Sequence, residues 1–138
     1  MRLAPQANML PKYFWALFAV YSLASLIHFI HNAEFIAIYP NMPAWITRET
    51  VYLAWLGIGC LGFAGLLMRR FKLFALGMLC FAAYGALGID GLAHYTLALC
   101  GEHTMATNFT IWFEVITGFA LLMTSALWLA RFFMLNRS

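Results

Sequence analysis

The sequence predicts an all-α, polytopic membrane protein: one domain over residues 1–138, folded as a four-helix transmembrane bundle with both termini cytoplasmic. Three observations predict it. Hydrophobic residues make up 64% of the chain and charged residues only 9%, against about 25% charged in an ordinary soluble domain. A water-soluble globule of this composition would lack the polar surface to cover itself. The apolar residues also fall in runs of the roughly 20 residues needed to cross about 30 Å of hydrocarbon, and the basic residues gather at one set of run ends.

The spans read at about 13–38, 51–68, 73–99 and 104–133. Arg2 and Lys12 precede the first, which resembles a signal peptide in that respect. It is too long for one and no small-x-small cleavage site follows, so it reads as a retained helix. Pro40 and Pro43 end it, because proline removes a backbone donor and clashes with the preceding turn. Ala44-Trp45-Ile46 then lies at the interface, and Thr47 suits the N-cap of the second span. Gly57, Gly59, Gly62 and Gly65 on the second span, with Gly77, Gly85, Gly88 and Gly91 on the third, predict a tight hairpin, since small residues let membrane helices approach closely. Gly85, Gly88 and Gly91 would also make a smooth groove for a helix or a flat ligand. The fourth span opens with Asn108-Phe109-Thr110, a glycosylation sequon by pattern, discounted because it falls inside a helix start.

Orientation follows from the loops. Arg2, Lys12, Arg69, Arg70, Lys72, Arg131 and Arg137 share one side; only Arg48 reads to the other. The positive-inside rule puts the first set in the cytoplasm, as in a bacterial inner membrane. The net charge of +3 therefore orients helices and does not signal nucleic acid. Cys60, Cys80 and Cys100 form no C-x-x-C pair, which counts against disulfide exchange.

The acidic and imidazole groups have the opposite distribution. His28, His31, His94, His103, Glu34, Glu49, Asp90, Glu102 and Glu114 all read into the outer half. At about 1.5 Å per residue, His28 lies roughly 24 Å, His31 roughly 28 Å, Asp90 roughly 27 Å and Glu114 roughly 25 Å from the inner basic markers. Glu34 and His94 follow one turn higher. His28 and His31 are spaced i, i+3, Asp90 and His94 i, i+4, and His103, Thr107, Thr110 and Glu114 track one helix face. Charged groups facing lipid are costly, so these faces point inward, and an intramembrane ionisable group suggests function.

Several chemistries suit this set. His28, His31, Asp90 and His94 could ligate a divalent metal, zinc or iron, as bundles do from facing helices. Without metal, the same groups could do acid–base chemistry on a small or lipophilic substrate, with Glu34 and Glu114 as base or orienting carboxylates. Tyr52 and Trp55 would then be pocket walls. Haem is a further alternative, held by His28 or His31 opposite His94 beside the glycine groove. A through-membrane transporter fits less well, because the inner half carries no carboxylate or histidine. Two bland accounts compete: the polar groups only bind the helices together, or the chain is a non-catalytic subunit, or homo-oligomer, packing against partner helices in the bilayer. Glu49, Glu102 and His103 read as solvated rim residues.

The stretch His28-Phe29-Ile30-His31-Asn32-Ala33-Glu34-Phe35, followed by Pro43-Ala44-Trp45-Ile46, resembles the HXXEE family of small bacterial membrane proteins, in which a His-x-x-Glu-Glu motif ends a first span and a Pro-x-Trp element follows. His31 and Glu34 match, whereas Phe35 replaces the second glutamate. The resemblance covers about residues 28–46 and implies a role for His31 and Glu34 without assigning a reaction. The architecture is also similar to the four-helix sterol-isomerase and sigma-2-receptor type, by fold alone.

Overall fold

The computed structural model describes residues 10–136, and every element in them is helical. Arg2 and Arg137, which contribute to the charge asymmetry, lie outside the described residues. Four helical stretches are long and apolar enough to cross a membrane: Lys12–Glu34, Arg48–Arg70, Phe74–Leu97 and Met105–Leu135.

Helix α1 (Lys12–Glu34) starts after the extended Pro11 and ends in a 3₁₀ turn, Ile36–Ile38. The helix thus stops before the prolines, and the turn folds the chain back over the bundle. Helix α2 (Arg48–Arg70) is capped as its sequence predicts. The Thr47 hydroxyl accepts from the Thr50 N–H at 3.3 Å, and the Thr50 hydroxyl accepts from the Thr47 N–H at 2.8 Å. A tight turn with Lys72 in the left-handed region (φ 61°) leads to α3 (Phe74–Leu87).

The third span is not one uninterrupted α-helix. It tightens to a 3₁₀ helix over Gly88–Ala93 and ends in one α turn, α4 (His94–Leu97). Residues three apart eclipse in a 3₁₀ helix, so Gly88 and Gly91 share one face; both are buried, as is Gly85 in the last turn of α3. Helix α5 (Met105–Leu135) begins at the Thr104 cap, whose hydroxyl accepts from the Thr107 N–H at 3.1 Å. The sequon does lie inside its first turns.

The main contacts join α1 to α2, α2 to α3, α3 to α5 and α5 to α1, so the helices form a ring in that order. Glycines set its closest approaches. A Cβ on Gly85 would stand 2.6 Å from the Gly118 carbonyl oxygen, and one on Gly77 3.3 Å from the Gly65 carbonyl oxygen. The α2–α3 hairpin is therefore real, but Gly85 and Gly88 serve a different contact, against α5 and the Tyr21 ring of α1.

The core lies toward the end that carries Lys12, Arg69 and Arg131. Phe14, Tyr21, Phe74, Met78, Phe81, Tyr84 and Leu121 are buried together. Rings meet edge to face, Phe14 and Phe81 at 5.4 Å and Tyr21 and Tyr84 at 4.6 Å between centroids, the arrangement that ring quadrupoles favour. The Tyr21 hydroxyl donates to the Tyr84 carbonyl at 2.8 Å. That bond stitches α1 to α3 where the 3₁₀ segment begins.

Candidate functional site: a cavity at the end opposite Lys12, Arg69 and Arg131

Beside Gly91, toward the loop between α1 and α2, lies a cavity of about 410 Å³. Helix α2 gives it an apolar wall of Val51, Ala54 and Ile58, and Met42, Trp45 and Ile46 of the outer loop form its roof. Polar groups enter from the other three sides: His28 and Asn32 from α1, Asp90 and His94 from the third span, and Glu114 from α5. His28 and Asn32 are i, i+4 and share a helix face.

Two of these groups form the floor. His28 and Glu114 are both 2% exposed, and Nε2 of one lies 3.7 Å from Oε2 of the other. On the far side of the imidazole, Nδ1 stands 3.3 Å from Thr110 Oγ1. The Thr110 hydroxyl donates to the Thr107 carbonyl at 3.0 Å, so it accepts from His28 Nδ1–H. That assignment leaves Nε2 of the neutral ring as an acceptor facing the carboxyl. Thr107, Thr110 and Glu114 are all buried; the polar stripe of the fourth span is the inward face of α5.

Asn32 carries an unmet demand. Its Nδ2 approaches His94 Nε2 at 3.4 Å, whereas its buried Oδ1 has no hydrogen-bond partner among the described residues. A buried unsatisfied acceptor costs about 1–3 kcal/mol. His94, half-buried, stands edge-on to His28 with centroids 5.3 Å apart, and Asp90 is exposed at the mouth.

His31 and Glu34 take other positions. The His31 ring turns away from the cavity, with Nδ1 2.8 Å from the Tyr39 hydroxyl. Glu34 points outward, accepting from Arg48 Nη2 at 2.8 Å and from the Tyr52 hydroxyl at 2.6 Å. It does not line the cavity, and its partner Arg48 is the one Lys or Arg at this end among the described residues. Tyr52 and Trp55 are not cavity walls either; Tyr52 is held by Glu34, and Trp55 lines a separate groove with Phe18 and Tyr84.

The expected metal set does not converge. Among the described residues no three His, Cys, Asp or Glu side chains stand together as an ion would require; His31 is bound to Tyr39, and Asp90 is exposed at the mouth. The groove expected at Gly85 and Gly88 is occupied by Gly118 against Gly85 and by the Tyr21 ring against Gly88.

Two residues that sequence reasoning passed over help to build the site. Tyr39, 4% exposed, is tucked in by the 3₁₀ turn after α1 and contacts the rings of His31, His94 and His103. Burial pushes its phenol up to about 12, so it stays a neutral hydroxyl. Asn32 had a legible signal, one turn beyond His28; Tyr39, in a loop, had none. His103 is not a solvated rim residue: it is 7% exposed, packs edge-on to Tyr95, and places Nε2 3.4 Å from the His94 carbonyl oxygen. Glu49 and Glu102 are exposed. All three cysteines are free.

Comparison with known protein families, with curated proteins and with solved structures finds no match for this chain.

Proposed function

We propose that this membrane protein binds a small lipid-soluble molecule in its outer-half cavity and exchanges a proton with it through Glu114 and His28. The observation that carries the reading is the floor: a buried carboxyl–imidazole pair beside an unpartnered Asn32 oxygen, across from the apolar wall of α2. About 410 Å³ lies in the range of ligand cavities, roughly 300–1,000 Å³, which are mostly apolar with a few placed polar groups. The Asn32 oxygen asks for a donor, so the ligand carries an O–H or N–H at its polar end. Glu114 and His28 can hold one proton between them and give or take it there, a contribution of typically about 10²–10⁴-fold where chemistry follows. Asp90 and His94 would meet the polar end as it enters at the mouth.

The positive-inside rule supports cytoplasmic termini in an inner membrane, and so an extracytoplasmic mouth. Lys12, Arg69, Arg70, Lys72 and Arg131 stand at the closed end. The reading is tested by mass spectrometry of organic extracts from purified protein. A small molecule stoichiometric with the wild type, depleted in Ala54→Trp, which fills the cavity, and in Asn32→Leu, is the expected result. Extracts indistinguishable between wild type and Ala54→Trp would contradict it.

A non-catalytic subunit is the second reading, favoured by Gly57 and Gly59 of α2, whose Cβ positions meet nothing within 4 Å. Cysteine cross-linking at position 57 in native membranes tests it: a discrete adduct supports a packed partner helix, and only monomer speaks against one.

A further inference from the structure

Behind the cavity floor a second line of polar groups runs to the outer surface. Half-buried His31 places Nδ1 2.8 Å from the Tyr39 hydroxyl. The Tyr39 hydroxyl faces the Thr110 and Thr107 hydroxyls without a direct hydrogen bond to either. Thr110 Oγ1 lies 3.3 Å from His28 Nδ1, and His28 Nε2 lies 3.7 Å from Glu114 Oε2. Every member before the carboxyl is an imidazole or a hydroxyl, the side chains that both donate and accept. Two hops, Tyr39 to Thr110 and His28 to Glu114, need side-chain movement to reach hydrogen-bond distance, about half an ångström for the second. Neither His31 nor Tyr39 lines the cavity.

We infer that His31, Tyr39, Thr110 and His28 form a proton relay connecting the outer surface to Glu114 by a path separate from the cavity. The inference rests on the acid–base reading of the cavity and supplies what that reading lacks. A lipid-soluble occupant displaces water from the cavity and closes that route to Glu114, so a carboxyl that has given up its proton must be resupplied from behind. In one pass a proton enters at His31 Nε2 and one arrives on Glu114 Oε2. Each hop breaks one N–H or O–H bond and forms another, so hydrogens balance and no electrons change hands. Delivery requires the Thr110 hydroxyl to turn from the Thr107 carbonyl to His28 Nδ1, with Nε2–H aimed at the carboxylate. Rotation of the hydroxyls and the imidazole then restores the starting state.

The other ionisable groups around the pair offer no second route from the surface. Tyr21 of α1 and Tyr84 of α3 lie on the closed side, Asp90 and His94 open into the cavity itself, and α2 presents only Thr50, Val51, Ala54 and Ile58.

The test is a hydrogen–deuterium exchange rate in lipid nanodiscs. The infrared carbonyl band lost in Glu114→Gln identifies the protonated carboxyl, and its shift after transfer to D₂O reports exchange. With Ala54→Trp filling the cavity, the band should shift at close to the wild-type rate. Adding Tyr39→Phe or Thr110→Val to that background should slow it at least about tenfold, without moving the pH at which the band appears. His31→Gln, at the half-buried end, should slow it too, and stands as the test if a buried change unfolds the bundle. Unchanged exchange in these variants overturns the relay, as does the absence of any Glu114-dependent band at every pH where the protein stays folded. Extracts that still lose their molecule in Ala54→Trp while exchange is unaffected would leave the cavity reading intact and remove only the relay.

Discussion

The two halves of the bundle use the same four spans for opposite ends. In the half that carries Lys12, Arg69 and Arg131, taken as the inner half, aromatic rings and paired glycines bring the helices into contact, and no carboxylate or histidine is present among the described residues. In the opposite half, taken as the outer, the third span changes from α to 3₁₀ geometry at Gly88, and a cavity is lined in part by imidazoles and carboxyls. Without a hydrophobic driving force between helices in lipid, close packing has to hold the bundle. Concentrating that packing in one half lets the other carry a cavity, an unsatisfied Asn32 oxygen and a buried carboxyl.

Substitutions can break this comparison. The largest effect is expected at the boundary. In Gly85→Leu the first added atom already meets the Gly118 carbonyl oxygen at 2.6 Å and the Leu122 nitrogen at 2.8 Å, both backbone and neither free to move. A loss of about 3 kcal/mol or more is expected, measured by denaturant titration in mixed micelles, while Gly57→Ala should stay within about 0.5 kcal/mol of wild type. Equal losses at the two glycines would deny that packing is localised.

Next comes the contrast between an inner ring and a cavity wall. Phe81→Ala removes a fully buried ring from the core and should cost about 3–5 kcal/mol. Val51→Ala enlarges a space that already exists and should cost about 1 kcal/mol. Similar costs would mean that the outer half carries as much stability as the inner.

The smallest effect is a pH dependence at Tyr39. Its phenol is raised from the ordinary 10 to about 12 by burial. A raised acid is neutral in the folded state over a window where the unfolded chain ionises, so its contribution is full below pH about 10 and is lost as pH climbs toward 12. Thermal denaturation in alkali should show that decline in the wild type and a shallower one in Tyr39→Phe; parallel curves would show that Tyr39 is not held as a buried neutral hydroxyl.

Much of this architecture is legible in the chain. Four spans follow from hydrophobic run length, and the Thr47 cap from its position after Pro43. The inward face of α5 follows from the spacing of Thr107, Thr110 and Glu114, because periodicity within one helix is a local property. The 3₁₀ switch has a partial signature in three glycines three residues apart. What the spacing leaves open is the path of the chain between helices. Tyr39 reaches the polar cluster only because the turn after α1 folds inward, and it then draws His31 away from His28. Glu34 is lost to the site through Arg48 and Tyr52, which belong to another helix, and His103 is buried by Tyr39 and Tyr95. Depth along a helix could be counted; the partner each side chain finds at that depth could not.

The central claim is that Glu114 is a protonatable carboxyl at the bottom of a cavity reached by lipid-soluble molecules. Dicyclohexylcarbodiimide tests it most directly, because this apolar reagent adds to protonated carboxyls and leaves a stable acylurea that peptide mass spectrometry can locate. The account predicts labelling of Glu114 in membranes, suppressed by Ala54→Trp and absent in Glu114→Gln, with the outward-facing Glu34 unlabelled. Labelling confined to Glu34, Glu49 or Glu102, or labelling of Glu114 that Ala54→Trp leaves unchanged, would contradict it.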